Sequence, residues 1–265
     1  MPFATVNGVS LYYRIDGPAD AQAPWLVLSN ALGTDVSLWS PQIGAFARHF
    51  RVLRYDARGH GRSSVPPGPY TIEQLSADVL ALMDALAIDR AHVCGISLGG
   101  VTAMALAARH GQRVGRLVDI SALPRNLAPR ETWLERMEQA RGGGMPALAS
   151  ASVERWLSAA FRAREPLVAE AIRDVVRHTD AQGYIASCAA VANTDLSQEV
   201  ERIGAPTLIV SGMHDAGFPV DEGRALAARI PGARHVAFEA LHLPNVEQAS
   251  ALTQTVLDFL LLPSP

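Results

Sequence analysis

Six short apolar runs, separated by stretches of helical periodicity, restrict the fold of this chain more than any other feature. They are "WLVLS" (25–29), "FRVLRYD" (50–56), "AHVCG" (91–95), "GRLVDIS" (115–121), "APTLIVSG" (205–212) and "ARHVAF" (233–238). Strands that alternate with helices pair in parallel and are covered by helices on both faces. The apolar spacing places those helices around Pro41–His49, Ile72–Leu86, Leu98–His110, Val220–Arg229 and Val246–Leu261. Ahead of the series, "ATVNGVSLYYRID" alternates around Asn7-Gly8, the signature of a hairpin.

The strand pattern stops from about Leu123 to Leu196. This stretch is rich in Ala, Arg, Glu and Trp and reads as several helices broken at "RGGGMP" (141–146) and at Pro166. An insertion in an α/β sheet lies beyond the carboxyl ends of the strands, where ligands bind. A helical cap over a pocket is therefore expected at 123–196, with the core at 1–122 and 197–265.

The 265 residues are 49% hydrophobic and 18% charged, which suits a folded, soluble chain. A net charge of −3 offers no broad basic field for nucleic acid or an anionic membrane. All 23 basic residues are arginine. Without lysine, Schiff-base chemistry and a lysine-bearing phosphate loop are excluded. Cys94 and Cys188 are too few for a disulfide framework and read as buried, reduced thiols. "MPFATVNGVSLYY" lacks the pattern of a signal peptide, and "TVLDFLLL" is too short to span a bilayer, so a cytoplasmic location is expected.

Gly95-Ile96-Ser97-Leu98-Gly99 lies where a strand gives way to a helix and matches the G-x-S-x-G nucleophile elbow. The turn is so sharp that side chains at 95 and 99 would collide with the backbone, and Gly100 lets the helix approach the sheet. A serine hydroxyl needs a base. The elbow arrangement calls for an acid after a late strand and a histidine after the last one. Asp215 in "LIVSGMHDAGFP" and His242 in "FEALHLPNVEQ" hold those places. Seven other histidines compete: His49, His110 and His178 belong to helices, His92 and His235 to strands, His60 to an early loop, and His214 neighbours the acid. Asp119 is the main rival acid, inside a strand rather than beyond it, and Asp221 starts a helix.

An oxyanion needs two backbone donors. The amide of Leu98 is one, and the loop Ser29-Asn30-Ala31-Leu32-Gly33 places Leu32 as the other, with Asn30 bracing the loop. In "RYDARGHGRSS" (54–64), Asp56, Arg58 and the glycines read as structural braces. No metal motif and no G-x-G-x-x-G fingerprint occurs, so neither metal nor cofactor is expected.

With these motifs assembled, the chain resembles the α/β-hydrolase superfamily and, more narrowly, the 3-oxoadipate enol-lactonases. The likeness is carried by "LSNALGTDVSLW", "HFRVLRYDARGHGRS", "GPYTIEQLSADVLALMDAL" and "LHLPNVEQ". Two segments of the insertion share it, "ERWLSAAFRAREP" and "TDAQGYIASCAAVANTDL". The chain departs from the family at Phe218, where a threonine is expected, and in "ALPRN" after Ser121. The resemblance implies an α/β-hydrolase fold, with a mostly parallel eight-stranded sheet flanked by helices and an inserted helical cap. It also implies ring opening of an anionic enol-lactone in aromatic catabolism through an acyl-enzyme on Ser97, with His242 as base and Asp215 orienting it. The substrate carboxylate then requires a positive group, for which Arg125, Arg130, Arg162 and Arg164 are candidates, and Trp133 and Trp156 could line the cap's inner face. The competing readings are a carboxylesterase or haloperoxidase-like perhydrolase on the same scaffold, and a ligand-binding receptor. Oligomeric state is left open.

Overall fold

The computed structural model describes residues 2–20 and 22–263. Among these, eight strands form one sheet: β1 (Phe3–Val6), β2 (Val9–Asp16), β3 (Trp25–Ser29), β4 (Arg51–Tyr55), β5 (Ala91–Ile96), β6 (Val114–Ile120), β7 (Thr207–Gly212) and β8 (Arg234–Phe238). Their order is β1-β2-β4-β3-β5-β6-β7-β8. The first two strands form the expected hairpin, with Asn7 and Gly8 at φ 48° and 76°, the paired positive values its two-residue turn requires. β2 runs antiparallel to β4, and from β4 to β8 every pairing is parallel. The central strands are covered on both faces, so Val27, Leu28, Val93, Cys94, Leu117 and Val118 are buried without alternation.

Chain order fixes where a ligand can go. From β3 the chain moves out to β4 and then returns past β3 to β5, so the winding reverses between β3 and β5. A crevice opens at such a switch point beyond the carboxyl ends of the strands. Ser29 and Gly95 are paired across it, which brings the end of β3 beside the elbow after β5.

The helices of the core are α1 (Ser40–Phe46), α2 (Ile72–Ala85) and α3 (Leu98–Arg109), followed after β7 by α8 (Val220–Arg229), α9 (Pro244–Glu247) and α10 (Ala249–Leu260). Two expectations need correction. The first helix ends before His49, and the last is interrupted at Gln248, whose φ of −121° and ψ of 40° leave the helical range.

Between β6 and β7 stand α4 (Arg130–Trp156), α5 (Ala159–Arg164), α6 (Pro166–His178) and α7 (Ala181–Ala192). Both expected breaks occur: α4 kinks at Gly144, at φ 67°, and Pro166 opens α6. Helix α7 sits on the core with backbone against backbone. A methyl on Gly183 would stand 2.1 Å from the Gly59 carbonyl oxygen, and Tyr70 N–H donates to Ala186 O at 3.0 Å. Cys94 and Cys188 are buried and free. Among the described residues no helix is long and apolar enough to cross a membrane.

Candidate active site

The elbow is built from missing side chains. Ser97 follows β5 at φ 56° and ψ −120°, a conformation that costs a non-glycine residue about 1–3 kcal/mol. Its N–H is anchored to Ile120 O at 2.9 Å. A methyl on Gly95 would lie 2.1 Å from Gly99 O, and one on Gly99 would lie 2.2 Å from Ser29 O. At Gly100 it would meet Asp119 Oδ1 at 2.2 Å and Ala122 Cβ at 2.6 Å. All three glycines are therefore forced by close approach, and the serine is left facing the crevice.

A second close approach brings acid and imidazole together. A methyl on Gly212, at the end of β7, would lie 1.8 Å from Leu241 O, so the loop carrying His242 rests directly on the strand end. His214 N–H to Ala240 O at 3.0 Å joins the two loops. Asp215 Oδ2 then accepts from His242 Nδ1 at 2.6 Å, and Asp215 Oδ1 accepts from Gly217 N–H at 2.9 Å. Because a carboxylate only accepts, the ring proton resides on Nδ1, leaving the Nε2 lone pair free. Two aromatic rings adjoin the imidazole, Phe218 at 4.8 Å between centroids and Trp156 at 6.4 Å. Phe218, the departure noted in the sequence, thus covers one face of the ring.

His242 and Ser97 line the same cavity of about 340 Å³, though no direct hydrogen bond joins them among the described residues. The rival acid is elsewhere. Asp119 is fully buried, neither of its oxygens has a hydrogen-bond partner among the described residues, and burial raises its pKa well above the usual carboxylate range. Asp221 pairs with Arg224 on exposed α8, and His214 pairs with Glu239 at 2.7 Å on the surface.

Leu32 and Leu98 also line the cavity, and neither N–H is engaged by a protein acceptor among the described residues. The loop bearing Leu32 is held from several sides. Asn30 Nδ2 donates to Tyr55 O at 2.7 Å, and Thr179 Oγ1, from the insertion, donates to Gly33 O at 3.1 Å. The brace the sequence did not reveal is His60. Its Nε2 accepts from Gly33 N–H at 2.9 Å, which fixes the proton on Nδ1, bonded to Arg58 O at 3.1 Å. Burial lowers the His60 pKa and keeps the ring neutral, as this acceptor role demands. The only hint in the sequence is its place between Gly59 and Gly61, both at positive φ. Asp56 and Arg58 brace as expected. Asp56 accepts from Val36 and Arg62 N–H, with burial pushing its pKa up to about 6, and Arg58 makes a two-pronged pair with Asp78.

The expected arginines are mostly displaced from the cavity. Arg125 lines its rim, but Arg130 is exposed at the start of α4. Arg162 is directed to Leu157 O, and Arg164 lies over Phe161. In their place α4 supplies Arg136 and Arg155, and neither makes an ion pair with a carboxylate among the described residues. Arg136 stacks over Trp133 at 4.7 Å, and Trp133 Nε1 is fixed by Asn126 Oδ1 at 2.9 Å. Desolvation and then the nearby Arg136 charge lower the Arg155 pKa. Trp133 and Trp156 both line the cavity. Among the described residues no cluster of three or more His, Cys, Asp or Glu could hold a metal ion.

Residues 24–249 match the family described as the alpha/beta hydrolase fold. The chain belongs to the α/β-hydrolase family. Within it, this hydrolase is 35% identical to a 3-oxoadipate enol-lactonase of Acinetobacter baylyi, over 95% of this chain and 93% of the relative. The crystal structure of an enol-lactonase from Burkholderia xenovorans superposes with a TM-score of 0.96 at 52% identity, covering 98% of this chain and 99% of the other. A thermophilic esterase from Thermogutta terrifontis, in a malate-bound structure, gives 0.89 at 27% identity, covering 98% and 96%. The resemblance read from the sequence thus recurs in both kinds of comparison.

Proposed function

We propose that this hydrolase opens the ring of 3-oxoadipate enol-lactone to give 3-oxoadipate, with Ser97, His242 and Asp215 as its catalytic triad. The observation that carries the reading is a single cavity lined by Ser97, the Asp215-bonded imidazole and three guanidiniums, those of Arg125, Arg136 and Arg155, none of them in an ion pair with a carboxylate among the described residues. The names of the relatives select the lactone.

His242 Nε2 takes the Ser97 proton as the oxygen attacks the lactone carbonyl, and Asp215 stabilises the imidazolium. The amides of Leu32 and Leu98 receive the tetrahedral oxyanion. Collapse breaks the ring C–O bond. The leaving oxygen departs as an enolate, a better leaving group than an alkoxide, and becomes a ketone on protonation at carbon. Since the ring oxygen was part of the same molecule, the opened chain stays attached as an acyl-enzyme. Water activated by His242 then releases it and restores the serine. No step calls for a metal or redox cofactor.

The substrate carboxylate is placed against Arg155 and Arg136, where two planar donor groups suit an anion. We read residues 123–196 as a cap domain supplying this anionic recognition, over a core of 1–122 and 197–265 that supplies the chemistry. The esterase likeness supports a second reading, hydrolysis of a simple carboxylic ester by the same groups.

A spectrophotometric assay of enol-lactone loss separates the two. Wild type is expected to prefer the lactone over aryl esters in kcat/KM, and Ser97→Ala to lose about 10⁴-fold or more of kcat on both. Fast ester cleavage with the lactone untouched would overturn the lactonase reading.

A further inference from the structure

The chemistry above makes no use of Glu247, a carboxylate only 8% exposed, which ends the short helix α9 after His242. Its oxygens face only donors. Oε1 accepts from Leu241 N–H at 2.6 Å, and Oε2 accepts from both Ser158 N–H at 3.0 Å and Ser158 Oγ–H at 2.5 Å. Leu241 directly precedes His242, whereas Ser158 belongs to the insertion, where it caps α5. On the other side of His242, Leu243 N–H donates to Trp156 O at 3.2 Å, and the Trp156 ring lies alongside the imidazole. Helix α9 is itself rooted in the core, through Gln42 Nε2 to Asn245 O at 2.7 Å. Both neighbours of His242 are thus tied to groups bound to the insertion.

We propose that Glu247 is a positioning residue: its carboxylate fastens the insertion at Ser158 to the loop carrying His242, and so sets the imidazole against Ser97. Three donors converge on two oxygens, so only an acceptor on both sides completes the joint. Glutamine cannot, because in either orientation its NH₂ meets an N–H or O–H donor. A displacement of the base by about 1 Å costs on the order of 10²-fold in rate, so a joint this near to His242 governs turnover and not only stability. The inference rests on the triad proposed above but not on the identity of the lactone.

The test is kcat per active site, with sites counted by a fluorophosphonate that labels the nucleophile, on p-nitrophenyl acetate and on the enol-lactone. Glu247→Gln is expected to lower kcat about tenfold or more on both substrates while KM stays within about twofold. The downfield proton resonance of the His242–Asp215 hydrogen bond should weaken in parallel. Ser158→Ala, which removes one donor and keeps the backbone bond, is expected to lose about threefold, and this loss should vanish in the double variant because the two residues act through one joint. The proposal is overturned if Glu247→Gln keeps wild-type kcat per titrated site. It is overturned equally if the two losses multiply independently. A wild type that splits the ester and ignores the lactone would remove the lactonase reading, and the ester data would still judge Glu247.

Discussion

Ser97 stands at φ 56° in a turn whose close approaches only glycines at 95, 99 and 100 permit, and this turn leaves the serine facing the cavity. Around it, the charged groups differ in what they should control. Arg155→Met is expected to raise KM for an anionic lactone about 10- to 100-fold, the value of one charge-assisted hydrogen bond, and to leave a neutral ester within about twofold. Steady-state kinetics on the two substrates checks this. Asp119 bears instead on stability. Its folded-state pKa lies above that of the unfolded chain, near 3.9, so any contribution it makes is intact below that pH and is lost as pH rises toward the folded value. Asp119→Asn should therefore gain on wild type as pH is raised from about 4 to 8 in urea unfolding, and parallel curves would exclude the assignment. The sequence showed Ser97, Asp215 and His242 because their places in chain order are characteristic. It hid His60, whose role depends on a loop 27 residues earlier, and Arg136 and Arg155, whose direction depends on how α4 bends.

At the level of elements, strands and core helices were readable because burial on both faces writes uninterrupted apolar runs, and helices between them carry clear periodicity. The two misjudged helix ends carry no proline or glycine to announce them: Ala47, after Phe46, keeps helical values although the helix stops there, and only Gln248 departs from them. The insertion was readable as helical, but its inner face was not. The kink at Gly144 resets the helical phase, so Trp133 and Arg136 before it cannot be aligned by periodicity with Arg155 and Trp156 after it. The seat of α7 was equally hidden, since a contact between Gly59 and Gly183 leaves no apolar trace. Gly183→Ala would put a methyl 2.1 Å from the Gly59 carbonyl oxygen. Overpacking of this kind costs about 1–3 kcal/mol, and the expected outcome is a lower urea midpoint with a wider, less selective cavity. Unfolding curves compared with the ester-to-lactone ratio check both halves.

The molecule as a whole carries a net charge of −3, which repels an anionic substrate at long range. In the proposed reading, attraction comes from the guanidiniums on the cavity wall. Raising salt from about 0.05 to 0.5 M shortens the screening length to a few ångströms, and KM for the lactone should rise severalfold while a neutral ester is unaffected. Kinetics over a salt series decides this, and equal responses would mean that the arginines do not meet the substrate's charge. The division of labour also bears on how such a chain can change. The recognition proposed above would reside mainly on α4, whereas the approach of α7 to the core is closest where two residues without side chains meet, Gly59 and Gly183. New specificities can therefore accumulate on the α4 wall one substitution at a time. Transplanting the whole insertion from a relative is a different undertaking, because donor and host must agree at both halves of that bare seam before any of the borrowed selectivity can be expressed.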